Sequence, residues 1–150
     1  MSPSIHHFFT VDEKASIQDA IREAELNTSG EIRVHIESKC KGEVLDRASD
    51  VFYHLKMDKT KLRNGVLFYL AVKSQKFAII GDKGINAVVP ENFWEDIKEM
   101  MAGHFKANEF ATGLSKGIEE SGKSLKQHFP YQSDDVNELS DEISFGESKN

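Results

Sequence analysis

Two apolar runs set the frame of the chain, Gly65 to Val72 (Gly-Val-Leu-Phe-Tyr-Leu-Ala-Val) and Phe77 to Ile80 (Phe-Ala-Ile-Ile), with only Lys73, Ser74, Gln75 and Lys76 between them. A gap that short closes as a hairpin turn, so the spacing predicts an antiparallel pair. The first run has no charged side chain to show to water, which predicts a strand covered on both faces, at the centre of a sheet. Upstream, Glu31 to Glu37 alternates strictly, with Ile32, Val34 and Ile36 on one side and Arg33, His35 and Glu37 on the other. This predicts a strand with one solvated face, nearer an edge, and makes His35 a solvent-side residue rather than a ligand.

Helical periodicity fills the intervals. Thr10-Val11-Asp12-Glu13 has the form of a capping box, and Ile17, Ala20, Ile21 and Ala24 follow at helical spacing until Asn27-Thr28-Ser29-Gly30. Val44, Leu45, Ala48, Val51, Phe52 and Leu55 predict a second helix. That helix crosses between two strands of one sheet, which makes a right-handed βαβ unit with Glu31 to Glu37 parallel to Gly65 to Val72. Ile85 to Val89 reads as an apolar link. Pro90 suits the first turn of a third helix, with Phe93, Trp94, Ile97, Met100 and Met101 buried and an end near Gly103. Phe110, Leu114, Ile118, Ser121 and Leu125 mark a fourth, in which Gly113, Gly117 and Gly122 point to close packing against a neighbour. The expected fold class is α/β: a three-layer sandwich whose small mixed sheet, a βαβ unit plus an antiparallel hairpin, is flanked by about four helices.

Composition adjusts this picture at one end. The chain has 150 residues and a formal charge of −6, of which Ser133 to Asn150 contributes six acids against Lys149. The nearly neutral body gives no electrostatic footprint for nucleic acid. Residues 1–132 are expected to form one domain and 133–150 an acidic, disordered tail, in which Val136, Leu139, Ile143 and Phe145 offer a docking strip. Cys40 is the one cysteine, so no intramolecular disulfide forms, and its polar surroundings predict an exposed thiol. No leader is expected at the N-terminus, and no apolar run approaches the ~18 residues of a membrane span. The expectation is a cytoplasmic monomer without direct membrane insertion.

The topology brings candidate chemistry to one rim. Gly30-Glu31 opens one strand, Arg63-Asn64-Gly65 opens its parallel neighbour, and Gly81-Asp82-Lys83-Gly84 closes the antiparallel one. Hard oxygens from Glu31, Asn64 and Asp82 are the candidate metal ligands, for Ca2+ or Mg2+. Arg63, Asn64, Lys83, Gly81 and Gly84 are the candidate ligand-binding residues, and Asp82 is the candidate catalytic group. Gly81 to Gly84 also reads as a plain turn in which Asp82 caps backbone N–H groups and the glycines take positive φ.

Five motifs in register carry a resemblance: Thr-Ser-Gly-Glu-Ile (Thr28 to Ile32), Arg-Asn-Gly-Val-Leu (Arg63 to Leu67), Gly-Asp-Lys-Gly-Ile (Gly81 to Ile85), Phe105 with Phe110 and Gly113, and His-Phe-Pro (His128 to Pro130). Over about residues 10 to 130 the chain resembles the TPM domain family, and its tail resembles the ending of a short bacterial branch without leader or membrane anchor. The resemblance implies a mixed sheet between helices. It also implies kinship with thylakoid-lumen proteins of photosystem repair, for which phosphatase activity and calcium binding have been proposed, and with a non-enzymatic animal receptor accessory protein. For bacterial relatives it implies an indirect link to a membrane-associated assembly containing a LemA-type protein. Fold leaves function open between these. The reading taken forward is a non-enzymatic interaction or ion-binding module; the alternative is a metal-dependent, acid-phosphatase-like hydrolase using the Glu31, Asn64 and Asp82 rim.

Overall fold

The computed structural model describes residues 5–131 and 139–146. Four strands, β1 (Glu31–Glu37), β2 (Gly65–Ala71), β3 (Lys76–Gly81) and β4 (Ser144–Phe145), form one mixed sheet in the order β3-β2-β1-β4. β1 runs parallel to β2 and β4, and β2 antiparallel to β3. Among the described residues five α-helices flank it: α1 (Val11–Asn27), α2 (Val44–His54), α3 (Lys83–Asn86), α4 (Glu95–Lys106) and α5 (Phe110–Leu125). The α/β expectation therefore holds, with the βαβ unit and the hairpin where the periodicity puts them.

β2 is buried at all seven residues and divides its side chains between two cores. Val66, Phe68 and Leu70 join Ile32, Val34 and Ile36 against α1, α4 and α5, while Leu67, Tyr69 and Ala71 pack with Ala48, Val51 and Phe52 of α2. Alternation of the pleat sends odd and even residues to opposite layers, and both layers are apolar. α1 starts as the sequence suggests: the Thr10 hydroxyl accepts from the Glu13 N–H, and the Glu13 carboxylate accepts from the Thr10 N–H. α5 lies close to its neighbours because its glycines leave room. A Cβ on Gly122 would sit 2.8 Å from the Ala24 Cα, and one on Gly117 2.5 Å from the Met101 Sδ.

Several expectations change. Pro90 precedes a turn, in which the Phe93 N–H donates to the Pro90 carbonyl, and α4 begins only at Glu95 and runs through Gly103 to Lys106. Ile85 to Val89 includes part of the short helix α3, which the Asp82 side chain caps. Cys40 is buried, because its backbone is drawn to the hairpin by the Ser74 hydroxyl and the Lys76 ammonium. His35 and Glu37 are also buried, 6% and 4% exposed, so the polar face of β1 is covered rather than solvated. The cover comes from α2, whose Arg47 reaches Glu37, and from the tail, whose Ser144 meets His35 and whose Gly146 lies against Glu37, while Ile143 and Phe145 dock on the opposite, apolar face and β4 extends the sheet beside β1. Of the expected docking strip, Leu139, Ile143 and Phe145 lie against the body, and Val136 lies outside the described residues.

Gly122→Ala separates two opposed effects. Intrinsic propensity favours alanine in a helix by ~1 kcal/mol. The Cβ placed against Ala24 overpacks the α1–α5 contact, at a cost of about 1–3 kcal/mol. Net destabilisation is expected in chemical denaturation, and a stabilised variant contradicts the close packing.

Candidate functional site

The rim assembles as the parallel topology dictates. Glu31 lies opposite Gly65, and Val66 opposite Gly81, so the starts of β1 and β2 and the end of β3 are neighbours. The segment Arg63 to Gly65 is its hub. The Asn64 carbonyl accepts from the Glu31 N–H at 3.0 Å, the Gly65 carbonyl from the Asp82 N–H at 2.9 Å, and the Arg63 carbonyl from the Gly84 N–H at 2.9 Å. That last bond explains Gly84: a Cβ there would lie 2.1 Å from the Leu62 carbonyl oxygen. The left-handed backbone belongs instead to Arg63, with φ 50°; neither Gly81 nor Gly84 has positive φ, contrary to the turn expectation.

Asp82 is 5% exposed and fully engaged. Arg63 Nε donates to Oδ2 at 2.7 Å and Arg63 Nη2 to Oδ1 at 2.8 Å, while Oδ1 also accepts from the Lys83 N–H at 2.8 Å. Beside this fork opens a cleft of about 300 Å³ lined by Ser49, Tyr53, Arg63, Asp82, Lys83 and Asn86, floored by Phe52, Ile80 and Gly81. Of the residues expected at the site, Arg63, Gly81, Asp82 and Lys83 line the cleft, and Gly84 supports it from α3.

Asn64 and Glu31 face elsewhere. Asn64 Nδ2 donates to the Ser29 carbonyl at 2.8 Å, which ties the two strand-opening loops together; its Oδ1 is buried without a hydrogen-bond partner among the described residues. Glu31 Oε1 accepts from the Leu139 N–H at 2.8 Å. β2 lies between β1 and β3, so the backbones at Glu31 and Asp82 stand about two strand spacings, roughly 10 Å, apart. Among the described residues no three His, Cys, Asp or Glu side chains gather to hold a metal ion. The Ca2+ or Mg2+ expected at Glu31, Asn64 and Asp82 does not fit this arrangement, because both Asp82 oxygens already accept from Arg63 and Glu31 Oε1 accepts from the tail.

A second polar cluster sits at the other ends of β1 and β2, and the sequence did not single it out. Arg47 of α2 donates from Nε to Glu37 Oε2 at 2.8 Å and from Nη2 to Oε1 at 2.7 Å, and the Tyr69 hydroxyl donates to Oε2. His35 Nε2 lies 3.2 Å from Glu37 Oε1, and His35 Nδ1 2.9 Å from the Ser144 hydroxyl. Burial pushes the Glu37 carboxyl upward, but the bonds from Arg47, His35 and Tyr69 outweigh it and hold the group down at about 2. Tyr69 moves the opposite way, raised by burial and by its bond to Glu37. The alternation of β1 showed a polar face; nothing local showed that α2 and the tail would close over it.

A model of the TPM domain matches residues 5–124. The structure is similar to that of BA42 protein from the psychrophilic bacterium Bizionia argentinensis, with 51% identity and a TM-score of 0.90 over 97% of this chain and 100% of that one. It is also similar in fold to the N-terminal domain of a protein from P. gingivalis (18% identity, TM-score 0.66, 81% of this chain and 78% of that one). The N-terminal domain of cg2496 protein from Corynebacterium glutamicum shares the fold at 12% identity (TM-score 0.61, 96% and 84%). No curated protein sequence matches the chain.

Two carboxyls, the buried Glu37 and the half-buried Glu25, give pH dependences of opposite sign. Glu37 is lowered in the fold from 4.5 to about 2, so its contribution to stability is present above about 4.5 and is lost as pH falls through 2. Denaturation of Glu37→Gln is expected to show a flatter pH profile than the original chain across that window. Glu25 of α1, which faces Asp141 and Glu31 and accepts from the Ile32 N–H at 3.2 Å, is raised from 4.5 to about 9 by burial and then by Asp141. Its contribution is full below 4.5 and is lost as pH rises through 9. Glu25→Gln is therefore expected to gain on the original chain with rising pH, and parallel profiles contradict a raised Glu25 carboxyl.

Proposed function

The chain belongs to the TPM domain family, and from that premise we propose that it is a non-enzymatic binding module whose rim cleft takes a small anion of the phosphate or carboxylate class. The observation that carries this reading is the Arg63–Asp82 fork. Asp82 uses two of the five guanidinium donors and fixes the plane of the group, leaving three on a side chain that is 30% exposed. Lys83 adds a second positive charge to the lining, while Ser49, Tyr53 and Asn86 add neutral polar groups. With one carboxylate against two cations, the lining favours a negative guest. Asp82 is poorly placed to act as nucleophile, since it is buried and both its oxygens are already bonded.

The alternative is metal-dependent, phosphatase-like hydrolysis, which requires Arg63 to release Asp82 before a cation or a phosphoryl group can reach it. An amide NMR titration of the labelled protein with inorganic phosphate, calcium and magnesium separates the two. Phosphate is expected to shift Arg63 to Gly65 and Gly81 to Gly84. Lys83→Ala should weaken that binding by about tenfold, the scale of one lost charge-assisted contact. Calcium shifts centred on Asp82, accompanied by phosphate-ester hydrolysis that Asp82→Asn abolishes, overturn the binding-module reading. Silence toward all three ions removes the cleft from consideration.

A further inference from the structure

We infer that the outer edge of β1 is a recognition groove for an extended peptide of the pattern acid–apolar–Ser–aromatic–Gly, and that the chain's own Glu142–Gly146 occupies it in cis. Each position of the segment meets a distinct feature. Ile143 is 8% exposed and enters the main core, and Phe145 packs on that core with the Lys14 ammonium 5.3 Å from its ring centre. Ser144 turns to the other face, where its hydroxyl meets His35 Nδ1 at 2.9 Å. Gly146 donates its N–H to the Ile36 carbonyl at 2.8 Å, and any larger residue is refused there: a Cβ would lie 2.3 Å from Glu37 Oε1 and 2.9 Å from His35 Nε2. Glu142 lends negative charge to Arg33, whose buried Nε has no hydrogen-bond partner among the described residues. Alternate side chains thus enter alternate faces, as strand addition to a sheet edge requires.

The occupant in cis uses only part of the edge. Its pairing is confined to His35 with Ser144 and Ile36 with Phe145, and among the described residues no strand pairs with Ile32, Arg33 or Val34 on that side. A two-residue strand is at the short limit of stable pairing. A partner segment that pairs also with Ile32 to Val34 gains ladder hydrogen bonds beyond the His35–Ser144 and Ile36–Phe145 pairing described for the tail, which gives the trans ligand a means of displacing the cis one. The site differs from the rim cleft in residues and in ligand.

The test uses the full chain carrying Ile143→Asp and Phe145→Asp, which alters the occupant and leaves the groove untouched. A synthetic peptide spanning Leu139 to Gly146 is titrated into the labelled variant. The expected result is that amides of Arg33 to Glu37, displaced in the variant, return toward their original positions, with binding at least about tenfold tighter than to the unaltered chain, where the tail competes at high effective concentration. The same peptide with valine in place of glycine at its last position should not bind. Should the double variant fail to fold, Gly146→Val in the full chain poses the same question, since it expels the tail through the clash with Glu37 and His35. The inference is overturned if either folded variant keeps the original β1 shifts, or if the peptide at about 1 mM leaves them displaced.

Discussion

The structure depends on the requirement that β2 be covered on both faces. All seven of its residues are buried, and successive side chains belong to different cores, one under α1, α4 and α5 and the other under α2. A slip of one residue would exchange the two sets, putting Phe68 where Tyr69 reaches Glu37 and Tyr69 into a core without polar partners. Burying each large apolar side chain is worth about 1.5–3 kcal/mol, against about 1 kcal/mol for an ordinary hydrogen bond. The apolar layers therefore fix the register, and the polar contacts at the two ends of the sheet follow from it. Glu31 faces Gly65 and Gly81 faces Val66 because the cores demand it.

This hierarchy explains what was legible in the sequence. The hairpin, the parallel crossover and the gathering of three strand ends at one rim are consequences of apolar periodicity, and the periodicity is local. Which rim side chain bonds which is not local. Asp82 and Arg63 are 19 residues apart and meet through a left-handed backbone at Arg63, a conformation that no pattern announces in a residue other than glycine. Gly84 was legible as a special position for the wrong reason: what excludes a side chain is the carbonyl of Leu62, not the sign of φ.

β4 is the clearest case of tertiary override. Two residues have no period, and the acids around Ser144 and Phe145 favour a solvated tail when read alone. Ordering of the tail is repaid only once β1 exists to receive it, with Ile143 reaching the main core and Gly146 reaching the Ile36 carbonyl. The burial of His35 and Glu37 follows in part from the same event, and the expectation of a solvated β1 face fails with it. Two non-local contacts, from α2 through Arg47 and from the tail through Ser144, account for that burial.

The two ends of the sheet use one device. At each, an arginine on the surface side reaches a carboxylate that is nearly sealed: Arg63, 30% exposed, with Asp82 at 5%, and Arg47, 42% exposed, with Glu37 at 5%. Desolvating such a pair offsets most of its attraction, so its value lies less in net stability than in fixing where the groups stand, since losing either partner strands a buried charge. What the fixed geometry does differs between the ends. At the rim the carboxylate fixes the plane of the arginine, at the edge of a cleft that Lys83 also lines. At the β1 edge Arg47 and Tyr69 hold the carboxylate itself in place, and the immobilised Glu37 oxygen meets whatever follows the aromatic residue of a docked strand. A mobile carboxylate would yield to a side chain at that position. One bonded to Arg47, Tyr69 and His35 does not, and glycine is the residue that fits.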